Sequence, residues 1–176
     1  MFKTYIISLK GEHKRYQSVV RELTDSRISN QYIEWFEAWK GSEHRNDPRV
    51  VKLCKIVCSD HIIGCALSHI ELAKYFLDTS NDPYCLVLED DVMIPDKETF
   101  VQDVQHLYYK HSSSDIIRLF CQGVCNDMLN STIPIYMDGS TVAYILTRTG
   151  ARKITEMNVL SHIDIQFNRL NTTNTQ

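Results

Sequence analysis

The sequence predicts a single α/β domain in which a sheet is flanked by helices. Three observations carry this prediction: β-branched and aromatic runs at residues 4–9, 84–88 and 141–147, apolar residues at helical spacing between residues 62 and 77, and the alternation of such segments along the chain. The 176 residues suffice for one core. We therefore expect one domain over residues 1–176, with a frayed tail at residues 170–176.

The N-terminal part predicts a strand, a turn and a helix. Residues 4–9 (TYIISL) form the first predicted strand, and the polar turn KGEHKR leads into a short helix over residues 15–23. The basic residues of this turn could meet a phosphate near the start of the helix, or they could be a solvated turn. Residues 32–39 (YIEWFEAW) predict a second strand, and residues 42–47 predict a polar loop.

The clearest predicted helix begins at Ser59 or Asp60 as its N-cap and extends to Asp78. Gly64 lies inside it and is expected to permit the close approach of another backbone. His69 lies near the apolar face, where a histidine is usually a hydrogen-bonded core residue.

The segment YCLVLEDDVMIP at residues 84–95 predicts a buried strand that ends in three carboxylates, Glu89, Asp90 and Asp91. Side-chain alternation places Glu89 and Asp91 on one face and Asp90 on the other. A divalent cation would relieve their repulsion, since Mg²⁺ and Mn²⁺ prefer oxygen ligands and ligands bind at the carboxyl ends of strands in open α/β sheets. A solvated acidic turn explains the same residues, and the pattern alone leaves both interpretations open.

The C-terminal half predicts a helix from Asp96 or Lys97 to about Tyr109, strands at residues 115–120 and 141–147, a helix at residues 147–157 and a last short helix after residue 162. Arg118 is the only charge in its predicted strand, so it must reach the rim of the sheet or find an acidic partner. Residues 121–131 are predicted to be irregular, and residues 133–136 a short edge segment.

Composition excludes several classes of protein. The net charge of −3, without a basic stripe, argues against nucleic-acid binding. The N-terminal apolar run is too short for a signal peptide or a membrane span, so we expect a cytoplasmic protein. Its six cysteines are then expected to be reduced thiols, with Cys65 and Cys85 as small buried residues. Cys54, Cys58, His61 and Cys65 could not surround a zinc ion from one uninterrupted helix.

Several segments, taken together and in order, resemble glycosyltransferase family 25. The resemblance rests on ISL at residues 7–9 with Arg15 following, FEAWKG at 36–41, IGCALSHIEL at 63–72, LVLEDDV at 86–92, AYILTRTGARKI at 143–154 and HIDIQF at 162–167. The combination of IGCALSH with LEDD downstream is its most specific part. It implies a GT-A-type, Rossmann-like nucleotide-sugar-binding fold, a UDP-sugar donor, Mn²⁺ or Mg²⁺, and inversion at the sugar carbon.

The resemblance implies roles for the residues of the donor site. Asp91 would be the metal ligand, Glu89 would support it directly or through water or the ribose, and Asp90 would orient the site or meet the sugar hydroxyls. Ser8 and Leu9 would meet the base, Arg15 would meet the phosphates or order the loop, and Ala38 matches the second-strand motif. Lys40 stands where the family often has an aspartate.

The acceptor side needs a base, because an undeprotonated hydroxyl is a poor nucleophile. By its place in HIDIQF, Asp164 is the first candidate, and His162 is the alternative or could complete the metal site. Asp164 could equally be a cap of the last helix. Ser68 and His69 are expected to buttress the acidic strand rather than touch the substrate.

The resemblance implies hexosyl transfer to a glycan or a glycosylated protein acceptor. A homo-oligomer or a partner subunit could supply the acceptor surface. The alternative is a degenerate or partner-dependent nucleotide-sugar-binding module without independent transferase activity. A haloacid-dehalogenase-like phosphatase fits less well, since its motif begins with an aspartate in the first strand, whereas Glu89 takes that position here in mid-chain.

Overall fold

The computed structural model describes residues 2–119 and 140–174. Its strands are β1 (Lys3–Ser8), β2 (Ile33–Glu37), β3 (Tyr84–Glu89), β4 (Ile116–Arg118), β5 (Ala143–Thr147) and β6 (Thr172–Asn174). They form one sheet in the order β2-β1-β3-β5-β4-β6, in which β5 alone runs antiparallel to its neighbours. The predicted α/β class, a mixed sheet flanked by helices, is therefore confirmed.

The helices are α1 (His13–Asp25), α2 (Gly41–His44), α3 (Lys52–Val57), α4 (Asp60–Thr79), α5 (Phe100–Lys110), α6 (Arg148–Thr155) and α7 (Ile163–Phe167), and residues Asn30–Tyr32 form a 3-10 turn. In the part of the chain that is described, no helix is both long and apolar enough to cross a membrane.

The four inner strands, β1, β3, β5 and β4, are buried on both faces, in keeping with their largely apolar sequences. Along β3, Cys85 and Val87 pack with α4, α6 and α7, whereas Leu86 and Leu88 pack with α1 and α5. This two-sided burial holds the ends of β1 and β3 in fixed positions. Ile7 of β1 is the register partner of Glu89 in β3, so both strands reach the same edge of the sheet.

Helix α4 confirms two predictions about its N-terminal turns. The Ser59 side chain accepts a hydrogen bond from the Ile62 N–H, which identifies Ser59 as the N-cap. A Cβ on Gly64 would lie 2.5 Å from the Trp39 carbonyl oxygen and 2.7 Å from the Gly41 nitrogen. A side chain at position 64 would therefore displace the backbone between β2 and α2.

Several predicted boundaries were wrong. Helix α1 begins at His13, before the predicted residue 15, and α5 begins at Phe100, after the predicted residues 96–97. The later start of α5 has a local cause, because the Asp96 carboxylate accepts hydrogen bonds from the Glu98 and Thr99 N–H groups and holds a turn there. The loop predicted at residues 42–47 contains most of α2, and residues 52–57 form α3.

The frayed tail predicted for residues 170–176 is wrong for Thr172–Asn174, which form β6 beside β4. The polar composition of this segment suits an edge strand, since its side chains pack less than those of a central strand. The Asp115 carboxylate accepts the Asn171 N–H at 2.9 Å and so ties down the start of β6.

The expectation of six reduced thiols is wrong for one pair. Cys54 in α3 and Cys58 just after it are joined by a disulfide. Their Cα atoms are 4.8 Å apart, within the range that a disulfide spans, because α3 ends between them. Cys65 and Cys85 are free, and Cys65 is half-buried, not buried as predicted.

Arg118 is buried at the carboxyl end of β4. Its guanidinium donates hydrogen bonds to Asn168 Oδ1 at 2.9 Å and to the Asp164 main-chain oxygen at 2.6 Å. Burial lowers the pKa of Arg118, while the nearby Asp164 carboxylate acts in the opposite direction. The predictions for Phe120, residues 121–131 and residues 133–136 lie outside the described residues.

Candidate functional site

A cavity of about 360 Å³ opens where the carboxyl ends of β1 and β3 meet the start of α4. It is lined by Ile7, Ser8, Leu9, Arg15, Ala38, Trp39, Lys40, Gly41, Ser42, Asp60, His61, Gly64, Cys65, Ser68, His69, Glu89, Asp90 and Asp91. All seven residues predicted to bind the donor or the metal as first choices are in this set, whereas His162, which could complete the metal site, is not.

Parallel pairing of β1 with β3 brings Ser8 close to the acidic residues that follow β3. Ser8 ends β1, Glu89 ends β3, and the chain continues from Glu89 into Asp90. The Ser8 hydroxyl donates a hydrogen bond to Asp90 Oδ2 at 2.7 Å. Asp90 is therefore held toward β1. The predicted alternation of the three acids does not extend past Glu89, because β3 ends there, Asp90 and Asp91 lie in a turn, and Arg15 reaches both of their carboxylates.

Arg15 supplies the cationic partner of the cluster from the first turns of α1. Its guanidinium lies 2.9 Å from Asp90 Oδ1 and 3.5 Å from Asp91 Oδ2. Asp90 is mostly buried, whereas 55% of the Asp91 side chain is exposed. Burial raises the pKa of Asp91, and the charge of Glu89 raises it further, with Arg15 offsetting this only in part. Asp91 thus carries negative charge that the protein's own contacts do not fully neutralise.

Glu89 faces the interior of the domain. Its Oε1 accepts a hydrogen bond from the Thr141 hydroxyl at 2.6 Å and lies 3.4 Å from His69 Nε2. Burial opposes ionisation of Glu89, but the contacts with His69 and Thr141 outweigh it and lower its pKa. The residue is therefore a charged, anchored carboxylate at the base of the cavity.

His69 confirms the prediction that it buttresses the acidic strand. Its ring is buried, with Nδ1 2.8 Å from the Tyr144 hydroxyl and Nε2 facing Glu89. Burial opposes charge on His69, but Tyr144, Cys65 and Glu89 surround the ring and together raise its pKa well above the ordinary value. His69 is also a lining residue of the cavity, so it belongs to the site as well as to the core.

The wall opposite the acids comes from the segment before α2, which lies directly on α4. The Trp39 N–H donates to the Ser68 hydroxyl at 2.8 Å, and Ser68 in turn donates to the Gly64 carbonyl at 2.7 Å. Ser68 therefore supports this wall and not the acidic strand as expected. Lys40, on the same wall, forms an ion pair with Glu43 at 3.5 Å.

The two candidate bases are not brought into the cavity. Neither Asp164 nor His162 is among its lining residues, and His162 is exposed. Helix α7 nevertheless lies at the same edge of the sheet, because Arg118 at the carboxyl end of β4 holds the Asp164 main-chain oxygen. The Asp164 carboxylate accepts the N–H of Ile165 at 2.8 Å, within the first turn of α7.

Three contributors to the site were not predicted from the sequence: Thr141, Tyr144 and the thiol of Cys65. The spacing of Cys65 and His69, four residues apart on one helix, was a usable signal, because such residues share a helix face. No local signal marks Thr141 or Tyr144, since their contacts with Glu89 and His69 join residues more than fifty positions apart.

The chain is similar to known proteins both in sequence and in structure. The sequence profile of Glycosyltransferase family 25 (LPS biosynthesis protein) matches residues 1–167. A protein of Acanthamoeba polyphaga mimivirus with the name "Putative glycosyltransferase R655" is 30% identical over 152 residues. That match covers 83% of this chain but 45% of the mimivirus protein, so the chain spans about half the length of this relative. The crystal structure of an active-site mutant of LgtC has a TM-score of 0.49 and 10% identity, covering 99% of this chain and 73% of that one.

Proposed function

The chain belongs to glycosyltransferase family 25, and on this premise we propose that it is a hexosyltransferase that moves a sugar from a UDP-sugar to a hydroxyl of a glycan or glycosylated protein, with inversion. The observation that carries the proposal is the cavity that joins Ser8, Arg15 and the acidic end of β3. It is open, polar on one wall, and of a size that suits a small-molecule ligand.

The carboxylate oxygens in the cavity suit a hard divalent cation. Asp91 is the most exposed of the three acids. It lies near Glu89, and the two negative charges repel each other. We assign Asp91 as the first ligand of Mn²⁺ or Mg²⁺, because both ions favour carboxylate oxygens. The inner oxygen of Glu89 is engaged by Thr141, so its outer oxygen is the one assigned to the cation, directly or through water. When bound, the cation neutralises negative charge on the departing diphosphate.

Arg15 is assigned to the donor phosphates. In this structure its guanidinium bridges Asp90 and Asp91, so it already lies at the mouth of the acidic cluster. A diphosphate held by the cation would offer this guanidinium a second set of anionic oxygens. Asp90, fixed by Ser8, is placed to orient Arg15 or to accept hydrogen bonds from sugar hydroxyls.

The nucleoside end is assigned to the edge of β1 and the neighbouring wall. Ser8 and Leu9 line the cavity from the end of β1, and Ala38 lines it from the end of β2. The Ala38 N–H donates to the Ser8 carbonyl at 2.9 Å, so these segments form one continuous surface. Lys40 stands on this surface where the family often has an aspartate, which makes it a candidate determinant of donor preference.

Deprotonation of the acceptor hydroxyl is assigned to Asp164, with His162 as the alternative. Asp164 lies in the first turn of α7, and Arg118 fixes its main chain from the buried end of β4. A carboxylate held in this way at the same edge as the acids could face an acceptor that approaches the donor sugar from outside the cavity.

A second candidate, a donor-binding module that needs a partner to complete it, is favoured by one observation. Asp164 and His162 do not line the cavity that holds the donor residues. In such a module a homo-oligomeric or other partner subunit would supply the acceptor surface, and the isolated chain would bind UDP without transferring sugar.

The test is calorimetry of UDP binding in Mn²⁺ and in EDTA, on the wild type, Asp91→Asn and a matched control, Asp78→Asn. Asp78 is an exposed acid near the end of α4 and is absent from the cavity lining. We expect Mn²⁺-dependent binding in the wild type and in Asp78→Asn, and a loss of about 100-fold or more in Asp91→Asn. Equal binding in EDTA would contradict the metal assignment.

The enzymatic arm measures release of UDP from UDP-galactose, UDP-glucose and UDP-N-acetylglucosamine with glycan acceptors. Release that depends on acceptor and falls in Asp164→Asn supports the transferase. Binding of UDP without acceptor-dependent release supports the partner-dependent module. No UDP binding under any condition would overturn both candidates for this chain.

A further inference from the structure

Three side chains with different donor atoms meet at the base of the cavity. The Cys65 sulfur, a His69 ring nitrogen and a Glu89 oxygen all lie within 4.8 Å of one another. We propose that this trio, the Cys65–His69–Glu89 cluster, is a binding site for a thiophilic divalent cation of the Zn²⁺ class, centred on Cys65 and His69 and sharing Glu89 with the assigned site at Asp91.

The local geometry supports two ligands from one helix. Cys65 and His69 are four residues apart on α4, so they project from the same face. This spacing is the one by which helical pairs chelate zinc in other proteins. The third ligand, Glu89, comes from the end of β3, so the donors approach from two directions, which a single helix could not arrange.

The distances suit a shared ion. Zinc bonds of about 2.0–2.3 Å place neighbouring tetrahedral ligands roughly 3.4–3.8 Å apart. His69 Nε2 lies 3.4 Å from Glu89 Oε1, longer than an ordinary N–H···O hydrogen bond and close to that separation. The 4.8 Å limit of the cluster requires a movement of about 1 Å at the longest pair, which rotation of the half-buried Cys65 side chain can supply.

The residues behind the cluster resemble the support that metal ligands receive. Tyr144 is buried and its hydroxyl lies 2.8 Å from His69 Nδ1. A bound ion would displace the proton of Nε2. Nδ1 would keep its own proton and donate it to the Tyr144 oxygen, which leaves the Nε2 lone pair on the side of Glu89. Thr141 orients the Glu89 carboxylate by a hydrogen bond of 2.6 Å.

The ligand atoms distinguish this cluster from the site assigned to the cation of the sugar donor. Sulfur and imidazole ligands favour Zn²⁺, whereas oxygen ligands favour Mn²⁺ and Mg²⁺. With a thiolate and a carboxylate, the cluster would balance both charges of a divalent cation. Cys65, His69 and Glu89 all line the cavity, so the fourth coordination position faces a space open to water or to a ligand oxygen.

The experiment titrates the metal-free chain with Co²⁺ and follows the near-ultraviolet thiolate-to-cobalt absorption band, without UDP. We expect a band that saturates at one ion per chain and is displaced by Zn²⁺. Cys65→Ser should abolish the band, and Glu89→Gln should weaken Co²⁺ binding about 10–100-fold. Tyr144→Phe should weaken it about tenfold.

Controls distinguish this site from the other thiols and from the assigned donor-metal site. Cys85→Ser, a Cys54→Ser and Cys58→Ser double variant, and a Cys121→Ser and Cys125→Ser double variant should keep the band. Asp91→Asn should also keep it while losing Mn²⁺-dependent UDP binding, so failure of one assignment does not imply failure of the other. Absence of a band in the wild type, or a band that survives Cys65→Ser, would overturn the proposal. Circular dichroism of each variant shows whether a lost band is due to misfolding. If Cys65→Ser does not fold, the proposal is decided by Tyr144→Phe, in which unchanged Co²⁺ binding would contradict it.

Discussion

The sheet has acidic side chains at two opposite edges, a single aspartate at one and a cluster of three at the other, and their surroundings differ. At the amino end of β4, Asp115 is 1% exposed, and its Oδ2 accepts from Lys153 at 2.6 Å and from the Asn171 N–H at 2.9 Å. At the carboxyl end of β3, Asp91 is more than half exposed and its nearest cation, on Arg15, lies at 3.5 Å.

The difference separates an acid that stabilises the fold from the acids that we propose bind a ligand. Asp115 joins β4, β6 and α6, and its charge is matched by groups of the chain itself. Burial and the neighbouring Glu89 carboxylate both destabilise the charged form of Asp91. The Arg15 guanidinium, which Asp91 shares with Asp90, offsets this only in part. Asp90 is intermediate, since Ser8 and Arg15 satisfy it while it lines the cavity. Substitutions of these acids that cost the most stability should therefore affect UDP binding the least, and the reverse.

Asp115→Ala is expected to have the largest effect on stability. Loss of the carboxylate removes the bond to Lys153 and the anchor of β6. Because Lys153 is half exposed, we expect a loss near the lower end of the range for such pairs, about 3 kcal/mol. Urea denaturation followed by circular dichroism measures it. Mn²⁺-dependent UDP binding by the folded fraction should be unchanged, and a matching loss of binding would remove the distinction between the two edges.

Two glycines allow the same comparison with backbone packing. A Cβ on Gly64 would lie 2.5 Å from the Trp39 carbonyl oxygen at the cavity, and one on Gly150 would lie 2.1 Å from the Asp115 carbonyl oxygen at the other edge. Both Gly64→Ala and Gly150→Ala should cost about 2 kcal/mol by overpacking. Calorimetry should show weaker UDP binding in Gly64→Ala alone, since Trp39 and Gly41 line the cavity. Weaker UDP binding in both variants would mean that the shape of the cavity depends on packing at both edges of the sheet.

The bond between Ser8 and Asp90 should have a measurable but smaller effect. Ser8→Ala and Asp90→Asn each remove or weaken a bond of 2.7 Å, and we expect a coupling energy of about 1 kcal/mol in a double-mutant cycle. Thermal denaturation of the four proteins gives the coupling. Additive effects would show that Arg15 alone holds Asp90 in place.

Asp91→Asn should have the smallest effect on stability and the opposite sign. Removing the charge relieves repulsion from Glu89, and because the side chain is more than half exposed we expect a gain of only about 0.3 kcal/mol. Urea denaturation in EDTA, with Asp78→Asn alongside, measures it. A loss of stability comparable to that of Asp115→Ala would contradict the view that Asp91 is kept for a ligand.

Sequence patterns predicted most of the helices and strands because those signals are local. The cap at Ser59 and the apolar run that ends at Glu89 are properties of neighbouring residues. The same approach missed the disulfide and β6. The first depended on where α3 ends, and the second on pairing with a strand more than fifty residues earlier.

The sequence by itself determined the α/β class and the acidic end of β3, since periodicity and local composition are properties of consecutive residues. Its resemblance to glycosyltransferase family 25 supplied the set of donor-site candidates. Only the tertiary structure decided which of these side chains meet. The order β2-β1-β3-β5-β4-β6 brought Ser8 to Asp90 and Thr141 to Glu89, and it left Asp164 on the same edge but outside the cavity. Contacts between residues far apart in the chain follow from strand order and register, which no local pattern contains.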